Sequence, residues 1–200
     1  MNAQTFIFIG KSGSGKGTQV ALLMEYLKQN DTRKIYNIET GKEFRNFINQ
    51  PTFTAKLAKE ILAQGLRQPD FLAINLWGKI LMDNLEENEH VIGDGFPRSK
   101  LEAMVLDTAF KFYKRTKPVI VYMNVENSSV IDRLVKRGRA DDKEDAIKNR
   151  LKFYADDVLP AIEYYRNNPD YTFLDINGEP TIEVIHKDLI SKLETEWASQ

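Results

Sequence analysis

A glycine-rich segment near the N-terminus limits the possible folds of this chain more than any other part of its sequence. Gly10-Lys11-Ser12-Gly13-Ser14-Gly15-Lys16-Gly17-Thr18 follows a short apolar run, Thr5–Ile9, and leads directly into a helical pattern. A strand, a glycine loop and a helix in that order allow backbone N–H groups to form a nest for an anion. Because Lys16 and the helix dipole add positive charge there, the segment predicts a phosphate-binding loop, with a simple strand-to-helix turn as the alternative.

Short segments rich in β-branched and aromatic residues alternate with longer helical patterns along the chain. The strand candidates are Thr5–Ile9, a weaker Ile35–Ile38, His90–Gly93, Pro118–Val125 and Tyr171–Ile176. The helical patterns, in which apolar residues recur every three or four positions, are Gln19–Gln29, Phe71–Glu87, Leu101–Arg115, Ser129–Arg137, Lys143–Arg166 and Thr181–Glu196. Strands that alternate with helices predict an α/β fold of three layers, in which helices cover both faces of a parallel sheet.

Composition excludes several classes of function. The formal net charge of −1 gives no overall positive field for nucleic acid, so any polyanion site has to be local. The absence of cysteine excludes disulfides, a cysteine nucleophile and thiolate zinc sites, and two separated histidines disfavour a histidine metal site. The sequence shows no signal peptide and no apolar run that approaches a membrane span. We therefore expect a cytoplasmic protein without nucleic-acid or membrane partners.

Two motifs resemble those of the adenylate kinase family. Gly15-Lys16-Gly17-Thr18-Gln19 ends the glycine loop, and Asp94-Gly95-Phe96-Pro97-Arg98 follows the strand candidate His90–Gly93. Other matching segments run in the family order from Gly10 to Pro180, so the resemblance covers nearly the whole chain. The second motif is the more specific one because it stands at the end of a strand, behind a phosphate loop.

The resemblance implies a fold, an organisation and an activity. The fold is a three-layer P-loop NTPase fold with a central parallel five-stranded sheet. Residues 1–200 form a single domain with a helical lobe that binds the nucleoside monophosphate, at about 40–68, and a short lid, at about 137–142. The activity is reversible, Mg²⁺-dependent, in-line transfer of the γ-phosphoryl group of ATP to AMP, and a monomer is expected.

The resemblance also assigns roles to individual residues. The residues expected to bind ATP are Gly13, Ser14, Gly15, Lys16, Gly17, Thr18, Arg133, Arg137 and Glu179. The residues expected to bind AMP are Thr40, Arg45, Leu66, Arg67, Gln68, Gly95, Phe96, Pro97, Arg98, Glu102, Arg139 and Arg150. The residues expected to stabilise the transferring group are Lys16, Arg98, Arg137, Arg139 and Arg150. Several guanidinium groups suit this reaction because it gathers many negative charges in one cleft.

The expected metal site departs from the usual phosphate-loop pattern. Gly17 follows Lys16 where a Ser or Thr hydroxyl commonly binds Mg²⁺, and Thr18 comes one place later. We therefore expect nucleotide oxygens and waters to hold Mg²⁺, with Asp94 orienting a water ligand from the end of its strand. Long-lid relatives often carry a zinc knuckle, but this chain has neither the length nor the cysteines for one, so no structural zinc is expected.

Glu102 and a nearby loop bear on the choice of acceptor. Adenylate kinases carry glutamine four residues after Arg98, where its amide offers adenine one donor and one acceptor; an ionised glutamate only accepts. Glu102 would suit the two donors of guanine, so we expect weakened selectivity for AMP or some use of GMP. Alternatively, Glu102 rotates to solvent and backbone contacts read the base. The loop expected to line the base has Arg67 and Gln68 where apolar residues are usual.

Structural alternatives remain for the charged residues. Asp94 and Arg98 are compatible with a surface ion pair beside a turn, and Arg45 with a solvated helix arginine. The segment Asn177-Gly178-Glu179-Pro180 fits a tight turn as well as a wall for the donor adenine. The arginines around residues 137–142 fit a solvated helical hairpin. For the whole chain, the alternatives are a nucleotide-binding module without transfer activity and an ATPase or a kinase of a non-nucleotide acceptor.

Overall fold

The computed structural model describes residues 3–139 and 141–198 of the 200-residue chain. Within these residues, five parallel strands form one sheet in the order β2-β3-β1-β4-β5. The strands are β1 Thr5–Gly10, β2 Ile35–Glu39, β3 His90–Asp94, β4 Val119–Asn124 and β5 Thr172–Asn177. The predicted strands are confirmed, including the weaker candidate at β2.

Helices connect successive strands, and one more helix follows the last strand. They are α1 Lys16–Asn30, α2 Thr40–Phe47, α3 Phe53–Ala63, α4 Asp70–Asn84, α5 Lys100–Phe112, α6 Asn127–Arg137, α7 Glu144–Phe153, α8 Leu159–Arg166 and α9 Ile182–Ala198. The single helix predicted over Lys143–Arg166 is interrupted by a π-helical segment, Tyr154–Val158. Apolar spacing does not reveal the wider turn of a π-helix, because one extra residue changes the register only locally. No described helix is both long and apolar enough to cross a bilayer.

The two faces of the sheet bury separate cores, which confirms the three-layer α/β class. Successive residues of β1 point to opposite faces, as the pleat of a strand requires. Phe6 and Phe8 pack with α1 and α9, whereas Ile7 and Ile9 pack with α4, α5 and α8. Each of these buried side chains contributes about 1.5–3 kcal/mol to folding. The central strand is therefore covered on both faces, and the phosphate loop begins at its end.

The carboxyl ends of neighbouring strands bring the polar residues of the site together. β3 lies directly beside β1, where Phe8 pairs with Asp94, so the Asp94 carboxylate ends close to the phosphate loop. On the far side of β3, Glu39 at the end of β2 pairs with Asp94. Ligands of open parallel sheets bind at this edge, and the fold places the candidate site there.

Candidate active site

A cavity of about 510 Å³ opens at the carboxyl edge of the sheet. That volume lies within the range of small-molecule sites, about 300–1,000 Å³. The predicted site residues that line it are Gly13, Gly15, Lys16, Gly17, Thr18, Arg45, Leu66, Gln68, Asp94, Gly95, Pro97, Arg98, Arg133, Arg137, Arg139 and Arg150. Most of the predicted residues therefore meet in one cavity, although they come from segments far apart in the chain.

The phosphate loop has the backbone conformation that its glycines predict. Gly13 and Gly15 take φ values of +86° and +93°, in the region that favours glycine. A Cβ atom at Gly13 would also lie only 2.9 Å from the Leu134 side chain. Gly15 precedes α1, and it places no side chain over the first turn of that helix. The positive end of α1 therefore faces the cavity and offers its N–H groups to an anion.

Lys16 holds its ammonium group inside the loop. Its Nζ donates to the carbonyl oxygens of Gly10, at 3.1 Å, and of Lys11, at 2.8 Å. Burial lowers the pKa of Lys16 to about 8, the attraction of Asp94 opposes this shift, and repulsion from Arg98 adds to it. The ammonium group is therefore shielded from water, and bound phosphate oxygens would stabilise its charge.

Asp94 lies next to the phosphate loop with room beside its carboxylate. A Cβ atom at Gly17 would lie 3.6 Å from Asp94 Oδ2, so the glycine leaves this oxygen accessible from the loop. Burial raises the pKa of Asp94, while the charge of Lys16 opposes that shift. Among the described residues no group of three or more His, Asp or Glu side chains could hold a metal. Mg²⁺ commonly uses one carboxylate together with phosphate oxygens and waters, so Asp94 fits such a site.

A buried carboxylate organises the arginines around the predicted lid. The Asp142 side chain has 0% exposure, and it accepts from Arg137 Nε at 2.9 Å, Arg137 Nη2 at 2.7 Å and Arg150 Nη1 at 2.7 Å. It also accepts from the backbone N–H of Arg139, at 3.2 Å. Burial alone would raise the pKa of Asp142, but the hydrogen bonds from Arg137 and Arg150 hold it at about 2. These arginines are thus fixed in direction, unlike those of a solvated hairpin.

Two further arginines line the cavity, Arg45 from α2 and Arg98 from the turn after β3. Arg45 Nη2 lies 3.1 Å from the carboxylate of Glu39. Arg98 Nε donates to the carbonyl oxygen of Gly95, at 2.7 Å, and burial lowers the pKa of Arg98. Gly95 has φ +84°, and a Cβ atom there would lie 3.2 Å from Arg98 Nη2 and 3.1 Å from Thr40 Oγ1. The turn after β3 therefore requires a glycine where Arg98 enters the cavity.

Some predicted residues lie outside the lining of the cavity. They are Ser14, Thr40, Arg67, Phe96, Glu102 and Glu179. Phe96 belongs to the core, where it stacks on Trp77 with ring centroids 5.7 Å apart. Thr40 is buried and donates to the carbonyl oxygen of Gly95, so it can only shape the turn in this structure. Glu102 is 1% exposed, which contradicts the alternative that it rotates to solvent.

The structure also adds residues that the sequence did not reveal. Glu39, Phe44, Asp141, Phe153, Tyr154 and Val158 line the cavity. Glu39 ends β2 at the carboxyl edge of the sheet, where ligands bind. A polar residue at the predicted end of a strand could therefore have indicated this site residue from the sequence. Three of the others belong to α7 and the π-helical segment, whose altered register has no signature in the spacing of apolar residues.

Comparisons with known proteins agree with this geometry. The sequence profile of the family described as "Adenylate kinase" matches residues 8–169. The chain is 33% identical over 189 residues to the adenylate kinase of Azobacteroides pseudotrichonymphae genomovar. CFP2, covering 92% of this chain and 94% of that protein. It is 34% identical over 192 residues to the adenylate kinase of Phocaeicola vulgatus, covering 94% and 97%. It is 35% identical over 191 residues to the adenylate kinase of Flavobacterium psychrophilum, covering 92% and 94%.

These relatives are matched along nearly their whole length, and the profile spans the phosphate loop, the turn after β3 and the lid arginines alike. The predicted α/β fold and the parallel sheet are both present in the structure. The resemblance to the family is thus supported over residues 8–169 by the profile and over 92–94% of the chain by these relatives. The chain belongs to the adenylate kinase family, and it is a nucleoside monophosphate kinase, a phosphotransferase.

Proposed function

We propose that this protein transfers the γ-phosphoryl group of ATP reversibly to AMP and forms two molecules of ADP. The observation that supports this reaction best is the meeting of Lys16 with Arg98, Arg137, Arg139 and Arg150 around one cavity. Transfer between two nucleotides brings several negative charges together, and its catalysis consists mainly of positioning and charge stabilisation. A cavity with this many fixed cations suits two phosphate chains placed end to end.

On the donor side, the phosphate loop and Lys16 hold the β- and γ-phosphates of ATP. Arg133 Nη2 donates to the carbonyl oxygen of Gly178, at 2.8 Å, and lies 3.9 Å from Glu179. This contact fixes the guanidinium plane of Arg133 at the cavity wall, where it can stack on the adenine of ATP. Glu179 would then act through the position of Arg133.

On the acceptor side, Arg45 and Arg98 bind the phosphate of AMP, while Arg139 and Arg150 span the acceptor and the transferring group. An oxygen of the AMP phosphate attacks the γ-phosphorus and forms the new P–O bond. The bond between that phosphorus and the bridging oxygen of ADP breaks on the opposite side. The reaction needs no side-chain nucleophile. Bound Mg²⁺ supplies further charge neutralisation, and Asp94 would orient one of its waters.

We assign residues 40–68 to the acceptor lobe and residues 137–142 to the lid. Contacts between the acceptor lobe and α7 support a closed arrangement around the cavity. Asn149 Nδ2 donates to the carbonyl oxygen of Gln64, at 2.8 Å, and a Cβ atom at Gly65 would collide with the carbonyl oxygen of Ala146. Closure excludes water, which limits the hydrolysis of ATP.

Initial rates with AMP, GMP, CMP and UMP, at fixed ATP and Mg²⁺, test the proposal. We expect the highest rate with AMP and two ADP for each ATP consumed. Arg98→Ala should lower kcat by about a hundredfold or more, whereas Arg166→Ala, outside the cavity lining, should leave kcat unchanged. ADP formation without any monophosphate would indicate an ATPase. Tight binding of ATP without transfer would indicate a binding module.

We further propose that the protein works as a monomer in the cytoplasm. A single chain supplies cations to both the donor and the acceptor side of the cavity, which supports a monomeric enzyme. Sedimentation equilibrium with active protein should give a mass near 23.1 kDa. A stable dimer would contradict this part of the proposal, and cell fractionation tests the location.

A further inference from the structure

Lys11 stands in the phosphate loop, but the proposed function gives it no role. Its backbone carbonyl oxygen accepts two hydrogen bonds inside the loop, from Lys16 Nζ at 2.8 Å and from the backbone N–H of Ser14 at 3.1 Å. The position of the Lys11 backbone therefore helps to direct the ammonium group of Lys16. Contacts that hold Lys11 in place consequently also set where Lys16 meets a phosphate group.

Two elements outside the loop hold the side chain of Lys11. Its Nζ donates to the carbonyl oxygen of Val125, at 2.5 Å, directly after the end of β4. The same Nζ lies 5.3 Å from the centre of the Tyr154 ring, within the range of a cation–π interaction. Both partners are buried, and a hydrogen bond from a charged donor is strong where water has little access. These contacts therefore fix the direction of the Lys11 side chain.

Tyr154 connects Lys11 with α7, the helix that carries Arg150. It begins the π-helical segment directly after that helix, and it lines the cavity. Its hydroxyl group shares a hydrogen bond, at 3.0 Å, with that of Tyr122 on β4. Tyr122 pairs with Ile9, in the strand that leads into the phosphate loop. Side-chain contacts thus join the phosphate loop, β4 and the segment that follows Arg150.

We propose that Lys11 is a positioning residue for phosphoryl transfer, because it fixes the location of Lys16 relative to Arg150. It does so by tying the phosphate loop to Val125 and Tyr154. The transferring group has to meet both cations at once, so their relative position matters most in the transition state. Lys11 itself lies outside the lining of the cavity and acts through other residues. The inference rests on phosphoryl transfer, the proposed function, and adds a residue behind the cavity wall.

The first test removes the charge of Lys11 and keeps a long side chain. In Lys11→Met, kcat should fall about tenfold, because the two cations lose their fixed separation. The affinity for ATP, measured by calorimetry, should change much less, because the N–H groups of the phosphate loop still bind phosphate. The matched control is Lys192→Met. Lys192 also donates to a backbone carbonyl oxygen, that of Asp175 on the edge strand β5, so this variant should keep the wild-type kcat.

The absence of cysteine from the chain allows a sharper comparison at the same position. Alkylation of Lys11→Cys with 2-bromoethylamine rebuilds a side chain of lysine length that ends in an ammonium group. Alkylation with 1-iodopropane gives a neutral side chain of the same length. The aminoethyl adduct should recover most of the wild-type kcat, whereas the propyl adduct should stay as slow as Lys11→Met. Mass spectrometry verifies complete modification, and denaturant unfolding verifies that both adducts are folded.

A double-variant cycle tests the link through Tyr154. Tyr154→Leu removes the aromatic ring beside the Lys11 ammonium group and should lower kcat by itself. In the Lys11→Met background, the same change should have a smaller effect, because the contact between the two side chains is already lost.

The outcomes separate this inference from the proposed function. A wild-type kcat in Lys11→Met would overturn the inference alone. So would equal kcat values for the two folded adducts, because the ammonium group would then be dispensable. Independent effects of Lys11→Met and Tyr154→Leu on kcat would overturn it as well. Failure of the wild type to phosphorylate any monophosphate would instead overturn the proposed function.

Discussion

Raising the pH above about 8 should weaken the binding of ATP, because the free protein then loses the proton of Lys16. Burial and the neighbouring arginines lower the pKa of this ammonium group, whereas bound phosphate oxygens would raise it again. Binding above this pKa therefore has to take up a proton. At pH 9, one unit above it, roughly one molecule in ten still carries the charge, so the affinity should fall about tenfold, or about 1.4 kcal/mol.

Calorimetric titration with ATP from pH 7.5 to pH 9.5, in buffers with different ionisation enthalpies, measures both the affinity and the proton uptake. The γ-phosphate is fully ionised over this range, and the arginines keep their protons. We expect proton uptake to rise towards one per ATP and the affinity to decline in parallel. Lys16→Met should bind weakly at every pH, without proton uptake. An affinity that stays constant to pH 9.5 would refute this account of Lys16.

Asp142→Asn should lower kcat by about tenfold or more, because the guanidinium groups that it holds lose their fixed direction; steady-state rates at saturating substrates measure this. An unchanged kcat would show that the carboxylate does not position them. Gly65→Ala should also lower kcat, since its Cβ would meet the backbone of Ala146, whereas Gly78→Ala, with nothing within 4 Å, should stabilise the fold by up to about 1 kcal/mol. Burial lowers the pKa of His90, so the unfolded chain binds this proton more readily. Stability should consequently fall below about pH 6.5, by at most about 1.4 kcal/mol per pH unit from this group. Denaturant unfolding of the wild type and of His90→Gln at a series of pH values measures this effect. The free energy of unfolding of His90→Gln should depend less steeply on pH.

The sequence was informative where a motif follows the end of a strand, although it did not reveal Glu39 at the end of β2. The glycine loop that leads to Lys16, and Asp94 itself, follow apolar runs that are typical of buried strands, and parallel strands bring their carboxyl ends to one edge. Their meeting in the cavity was therefore predictable from local patterns. The pairing of neighbouring strands, in which Phe8 lies beside Asp94, then fixes how close the two residues come.

Long-range partners were not predictable in the same way. Asp142 belongs to a charged run that is typical of a solvated surface, and only the packing of α6 against α7 buries it between arginines. The sequence left open whether Glu102 contacts the base or faces solvent. In the structure, Glu102 is held by contacts with Arg67 and Trp77, which belong to distant segments. The π-helical segment has no sequence signature, because its effect is a local change of register.

The transfer of label from γ-labelled ATP to AMP tests most directly whether one cavity holds two nucleotides end to end. Rapid quenching and separation of the products show which phosphate carries the label. We predict that the label appears in the β-phosphate of ADP, and that Arg150→Ala slows this transfer strongly. Label that appears in inorganic phosphate instead, at a rate independent of AMP, would contradict the account.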